Sequence, residues 1–167
     1  MHNSKGGKMF RLCCFKPYNE DMESSQKRSF PKTEHLCSRR LIEALFAGGS
    51  KSMSSFPIRA VYMILPPEYS STARVSVLIS VSKRHFKLAV KRNRVKRQIR
   101  EAYRKNKILL THALDGKQET RLAVAFLWLS DRLHPTSEVE KSIRHLLTRI
   151  AEQLTDRPST RRHEQTV

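Results

Sequence analysis

The feature that most constrains this chain is a strongly cationic stretch that also keeps an apolar stripe. Between Lys83 and Lys107 stand 12 of the 33 Lys and Arg residues, with Glu101 as the only acid. Val95, Ile99, Ala102 and Tyr103 recur within it at helical spacing, which predicts a helix from about 88 to 106 with one apolar side. At about 100° per residue, Asn93, Arg97, Arg100 and Arg104 group on the opposite side, with Arg92 and Lys96 on a flank. A charged tail needs no such stripe, so this segment packs on something while holding its cations outward. Solvated helix faces usually mix signs and gain from ion pairs one turn apart. Here the repulsion is almost unrelieved, and the pattern points to a polyanionic partner.

The rest of the chain bounds that reading. With 167 residues it is long enough for one domain with a core. A formal net charge of +18 costs stability through self-repulsion and favours nucleic acid as the partner, ahead of an anionic membrane surface. Cys13, Cys14 and Cys37 fit neither a disulfide framework nor a zinc-ligand spacing, and the seven histidines form no pair that shares one helical face. No metal site is expected. No window approaches the ~20 apolar residues of a membrane span, and no secretory leader is recognisable. A cytoplasmic protein with reduced thiols and no membrane partner is the expectation.

Residues 1–30 are polar and without sustained periodicity, and they read as a flexible extension; 155–167 read as a disordered basic tail. The domain is expected over 31–154. Its first helix should run from Thr33 or Ser38 to about Phe46, with Leu41, Leu45 and Phe46 toward a sheet, and stop at Gly48-Gly49. Strands are expected over 56–65 and 74–81, near enough in sequence to pair as an antiparallel hairpin, with a weaker strand at 51–55. After the basic helix, 107–120 reads as a connector turning at Asp115-Gly116. Residues 121–129 read as a strand buried in mid-sheet, with Trp128 in the core. Ser137 and Glu140 form a capping-box pattern, opening a helix with Val139, Ile143, Leu146, Leu147, Ile150 and Leu154 on one face.

Catalysis by the chain alone is not supported. A protein nuclease needs clustered carboxylates for metal ions or histidines working as acid and base. The acids here are dispersed, and no glycine-rich phosphate loop is present. Binding is better supported, because Arg and Lys on a helix neutralise phosphates and release counterions. Asn93, set between arginines, adds a neutral donor and acceptor that suits a base edge, a phosphate or the start of the helix itself. Phe46, Phe56, Tyr62 and Phe86 are candidates to stack unpaired bases, although core packing is the commoner use of each.

Ser80-Val81-Ser82-Lys83, then Ala89-Val90, then Arg92-Asn93-Arg94-Val95-Lys96-Arg97 and Ile99-Arg100-Glu101-Ala102 closely resemble the signature of the bacterial ribonuclease P protein component. The element order agrees as well, over about 30–154. The resemblance implies a two-layer α/β sandwich of order αβββαβα, with a central four-stranded sheet and the basic helix as a left-handed crossover. It implies an endoribonuclease in which a catalytic RNA subunit holds the active centre and its magnesium ions, and in which the protein assists removal of the 5′ leader from precursor tRNA. The RNA-binding set carried over is Lys83, Arg84, Lys91, Arg92, Asn93, Arg94, Lys96, Arg97, Arg100 and Arg104. A leader cleft between the sheet and the first helix would be lined by Phe46, Phe56, Tyr62, Ser82 and Lys83. The chain departs from the family pattern in three places. Arg84-His85-Phe86-Lys87-Leu88 lacks the usual glycine and is one residue longer, Ser76-Val77-Leu78-Ile79 lacks another glycine, and the first helix is longer. A ribosomal or general RNA-binding module is the alternative reading.

Overall fold

The computed structural model describes residues 29–65, 73–115 and 120–155; the two chain ends and the Gly116 half of the expected turn lie outside them. The sheet is built around the strand with the most continuous apolar run, β4 (Arg121–Trp128), whose residues Leu122 to Phe126 are all buried. A strand covered on both faces has to satisfy its backbone polar groups along both edges. β2 (Ile58–Leu65) lies antiparallel along one edge and β3 (Val75–Ser80) parallel along the other. β1 (Lys51–Ser55) closes the order β1-β2-β4-β3, antiparallel to β2. The expected hairpin between β2 and β3 therefore does not form, because β4 takes the position between them. Beyond β3, the Leu36 N–H donates to the Val77 carbonyl at 2.9 Å and covers part of that edge.

The fold is an α/β sandwich with helices on both faces of the sheet. α1 (Arg39–Ala47) lies on one face, with Leu41 and Leu45 buried against Val61, Leu65, Ala123 and Ala125. It stops where Gly48 and Gly49 take positive φ, 126° and 79°; the Ser50 hydroxyl then donates to the Leu45 carbonyl at 2.6 Å. On the other face, α2 (Ala89–Asn106) and α4 (Thr136–Thr155) pack side by side over Ile58, Ala60, Tyr62, Val77, Val124 and Phe126. The expected connector after α2 holds a further short helix, α3 (Ile108–Leu114), which buries Leu110 and Leu114. The apolar face expected of α4 is buried in full, and Trp128 is in the core. The capping box at its start is not used. The first turn already includes Thr136, the Pro135 carbonyl accepts the Glu138 and Val139 N–H groups, and Glu140 pairs with Lys105.

Candidate nucleic-acid interface

α2 is fixed before it presents anything. Val95 and Ile99 have no exposed surface and Ala102 and Tyr103 have 1%, so the predicted apolar stripe is the one that packs. Tyr103 meets the ring of Phe30 edge-on and that of Phe126 at a tilt. Burial, with the charge of Glu34 adding to it, pushes its phenol well above the usual tyrosine range. The basic residues in the first turn do not complement the helix dipole. No acid lies in its first turn, and its N-cap, Leu88, has no side-chain acceptor, so Lys91 and Arg92 stand against the positive end of the helix dipole.

The turn from β3 into α2, glycine-free in this sequence, is held by side chains. The Ser82 hydroxyl accepts the Arg84 N–H at 3.1 Å, and Phe86 is buried 6.5 Å from the Trp128 ring. Arg92 closes the turn by donating to the carbonyls of Phe86 at 2.8 Å and Lys87 at 2.7 Å. His85 reaches across to Asp131 at 2.7 Å. Arg92, expected among the outward cations, is thus largely spent on the protein's own backbone.

The remaining charges sort cleanly. Arg104 is gripped by both oxygens of Glu101, at 2.9 and 2.7 Å; that hydrogen bond holds the Glu101 carboxyl below its ordinary range. Arg104 was expected in the outward RNA-binding set, but the only acid of the stretch sits three residues before it, within reach on the helix. Lys105 pairs with Glu140 at 3.1 Å, and Lys107 with Glu34 at 2.6 Å. Lys83, Arg84, Lys87, Lys91, Arg94, Lys96, Arg97 and Arg100 have no ion pair and no side-chain hydrogen bond among the described residues. Asn93 is exposed and its amide is equally unengaged. Eight cations and one amide thus surround a helix whose far side is locked in the core.

The five residues expected to line a leader cleft are not brought together. Phe46 lies on α1, 49% exposed, one turn from the half-buried Ile42. Ser82 and Lys83 are exposed just beyond the end of β3. Tyr62 belongs to the opposite sheet face, 3% exposed, with its hydroxyl donating to the Gln153 side chain. Phe56 sits in the β1–β2 turn, its ring edge-on to His134 and its carbonyl accepting the Ser142 hydroxyl beside α4. Alternation along a strand assigns Tyr62 to a face, but not the helix layer that covers that face.

Sequence reasoning missed one polar chain. Ser130 Oγ lies 2.9 Å from His134 Nε2, and His134 Nδ1 lies 2.8 Å from Glu138 Oε2. A nucleophile would need access, whereas Ser130 is 6% exposed and its hydroxyl already accepts the Arg132 N–H. The chain fastens the β4–α4 loop, and its four-residue spacing was the available signal. Among the described residues no three His, Cys, Asp or Glu side chains gather as metal ligands. Glu34, Glu101, Asp131, Glu138 and Glu140 each face a cation or a histidine, so this donor set does not fit a protein-held magnesium ion. No described helix is long and apolar enough to cross a membrane.

Comparison with known proteins bears on the same residues. The model of the Ribonuclease P family matches residues 30–151. A ribonuclease P protein component from Porphyromonas gingivalis is 42% identical over 130 residues, covering 78% of this chain and 92% of that protein. One from Chlorobaculum tepidum is 32% identical over 133 residues, covering 75% and 86%. A solved structure described as a Staphylococcus aureus RNase P protein mutant with defective mRNA degradation activity aligns over 81% of this chain and 98% of that one, at 18% identity and a TM-score of 0.49. The resemblance carried by Ser80 to Ala102 is borne out, and the chain belongs to the ribonuclease P protein family.

Proposed function

We propose that this chain is the RNA-binding protein subunit of ribonuclease P. It grips the catalytic RNA through α2 and takes the 5′ leader of precursor tRNA along the sheet face that carries α1. The observation that carries this reading is the unneutralised cation set on α2, Lys91, Arg94, Lys96, Arg97 and Arg100 with the free amide of Asn93. Each Arg can hold a phosphate with two parallel bonds, which sets orientation as well as charge. Arg92 contributes by shaping the entry turn, so that Lys83 and Arg84 stand beside the helix. The leader path includes Phe46, Ser82 and Lys83; Phe56 and Tyr62 have no part in it. Magnesium is assigned to the RNA; in support, among the described residues Glu34, Glu43, Glu101, Asp115 and Glu140 are paired with this chain's own cations and no three possible metal ligands gather. The protein supplies affinity, register and charge neutralisation rather than a reacting group.

Reconstitution with transcribed ribonuclease P RNA and precursor tRNA at low magnesium tests this. The protein is expected to raise the cleavage rate and to favour substrates with longer leaders. Tight RNA binding without stimulation would leave only a general RNA-binding module, and cleavage without the RNA would make the chain a nuclease in its own right.

A further inference from the structure

α4 carries a second cationic surface, separate from α2. Lys141, Arg144 and Arg149 are exposed and have no ion pair among the described residues. With Ser137 and Thr148, Lys141 and Arg144 form one row at i, i+4, i+7 and i+11, which runs about 16 Å along the helix. The acids that would normally neutralise such a row are present but engaged elsewhere. Glu138, three residues before Lys141, is held by His134 at 2.8 Å, and Glu140, four before Arg144, by Lys105 at 3.1 Å. Glu152, one turn beyond Arg149, is the acid near this face that stays unpaired among the described residues, so the charge is least relieved at Lys141 and Arg144. The apolar side of α4 is wholly buried, so this row has one fixed direction. An ordinary solvated face would keep its ion pairs one turn apart; here the neighbouring elements draw them away.

Resting on the reading of the chain as an RNA-binding subunit, we propose that the Lys141–Arg144–Arg149 face of α4 binds a second segment of the partner RNA through its phosphate backbone. The protein then joins two RNA segments across the layer formed by α2 and α4. Hydroxyls and flexible cations in a row suit phosphates rather than base edges; the exposed imidazole of His145, beside Arg144, already lies 3.4 Å from the Ser55 hydroxyl.

The test uses the full chain with ribonuclease P RNA, comparing Lys141→Gln/Arg144→Gln/Arg149→Gln with Arg94→Gln/Arg97→Gln. Both variants should keep the parent melting curve. Each should bind the RNA at least about tenfold more weakly at moderate salt, with the slope of log affinity against log salt reduced by about two units or more for the α4 triple variant. A photo-crosslinker attached through Arg144→Cys, in a background lacking the native thiols, should mark nucleotides different from those marked through Arg97→Cys. If only the α2 variant loses affinity, or both probes mark the same nucleotides, the second surface is refuted while the first stands. If neither variant loses affinity, the RNA-binding reading itself fails. If the α4 variant melts early, the single replacements Lys141→Gln and Arg144→Gln carry the same comparison.

Discussion

The two faces of the sheet are built to different standards. The face under α2 and α4 holds a core that includes Ile58, Tyr62, Ile99, Tyr103, Phe126, Ile143 and Leu147, all nearly free of solvent. The opposite face is covered by nine residues of α1, and its cluster, centred on Leu41, Leu45, Val61 and Ala125, is edged by the partly buried Ile42, Met63, Leu78 and Leu127. Hydrophobic stabilisation follows the apolar area removed from water, so the first face holds most of the stability. The second leaves apolar groups at the surface beside exposed Phe46. One side is finished as a core under helices whose outer surface is mainly basic, with Val90 and Leu88 also exposed at the start of α2; the other is left open as a surface that can still receive something.

The sharpest way to break this comparison is inside the finished face. Ile99→Ala should lower the unfolding free energy by about 2–5 kcal/mol, because no exposed surface is available for the site to collapse into. Urea titration followed by circular dichroism measures it. A midpoint unchanged from the parent would mean that α2 is not held by its apolar stripe, and the division of labour between the faces would fall with it.

That stripe was legible in the sequence because a helix repeats within four residues, and Val95, Ile99, Ala102 and Tyr103 were enough to show which side of α2 packs and that Arg97 and Arg100 face outward. The apolar face of α4 was legible for the same reason. Strand order was not: β2 finds its partner some sixty residues away in β4, and nearness in sequence favoured β3 instead. Arg92 shows the same limit at the site. Its acceptors are carbonyls five and six residues back around an irregular turn, a contact that neither periodicity nor a motif announces. Arg104 was closer to being readable, since Glu101 stands three residues before it.

Arg92 and Arg94 therefore give the next test, two neighbouring arginines with different work. Arg92→Ala should cost about 1–2 kcal/mol, because two charge-assisted bonds to backbone carbonyls disappear, and RNA affinity should fall indirectly as the turn loosens. Arg94→Ala should change stability by less than about 0.5 kcal/mol while reducing the salt slope of RNA binding by about one unit. Thermal melts and a salt series on both variants separate the two. Identical stabilities would return Arg92 to the outward set.

The smallest effect on stability is expected on the open face. Phe46 already keeps about half its surface in solvent, at 49% exposure, and lies at the end of α1 just before the Gly48-Gly49 stop, so little packing is lost with its ring. Phe46→Ala should change the unfolding free energy by less than about 0.5 kcal/mol. A base stacked on an aromatic ring contributes about 1–3 kcal/mol, so the same variant should bind precursor tRNA with a leader several-fold more weakly in the reconstituted holoenzyme. Affinity for mature tRNA should stay unchanged, because no leader is present to reach the ring. Equal losses for the two tRNAs would mean that Phe46 touches another part of the complex. No loss for either would mean that the open face receives its ligand without this ring, through Ser82, Lys83 and the half-buried apolar rows of the sheet.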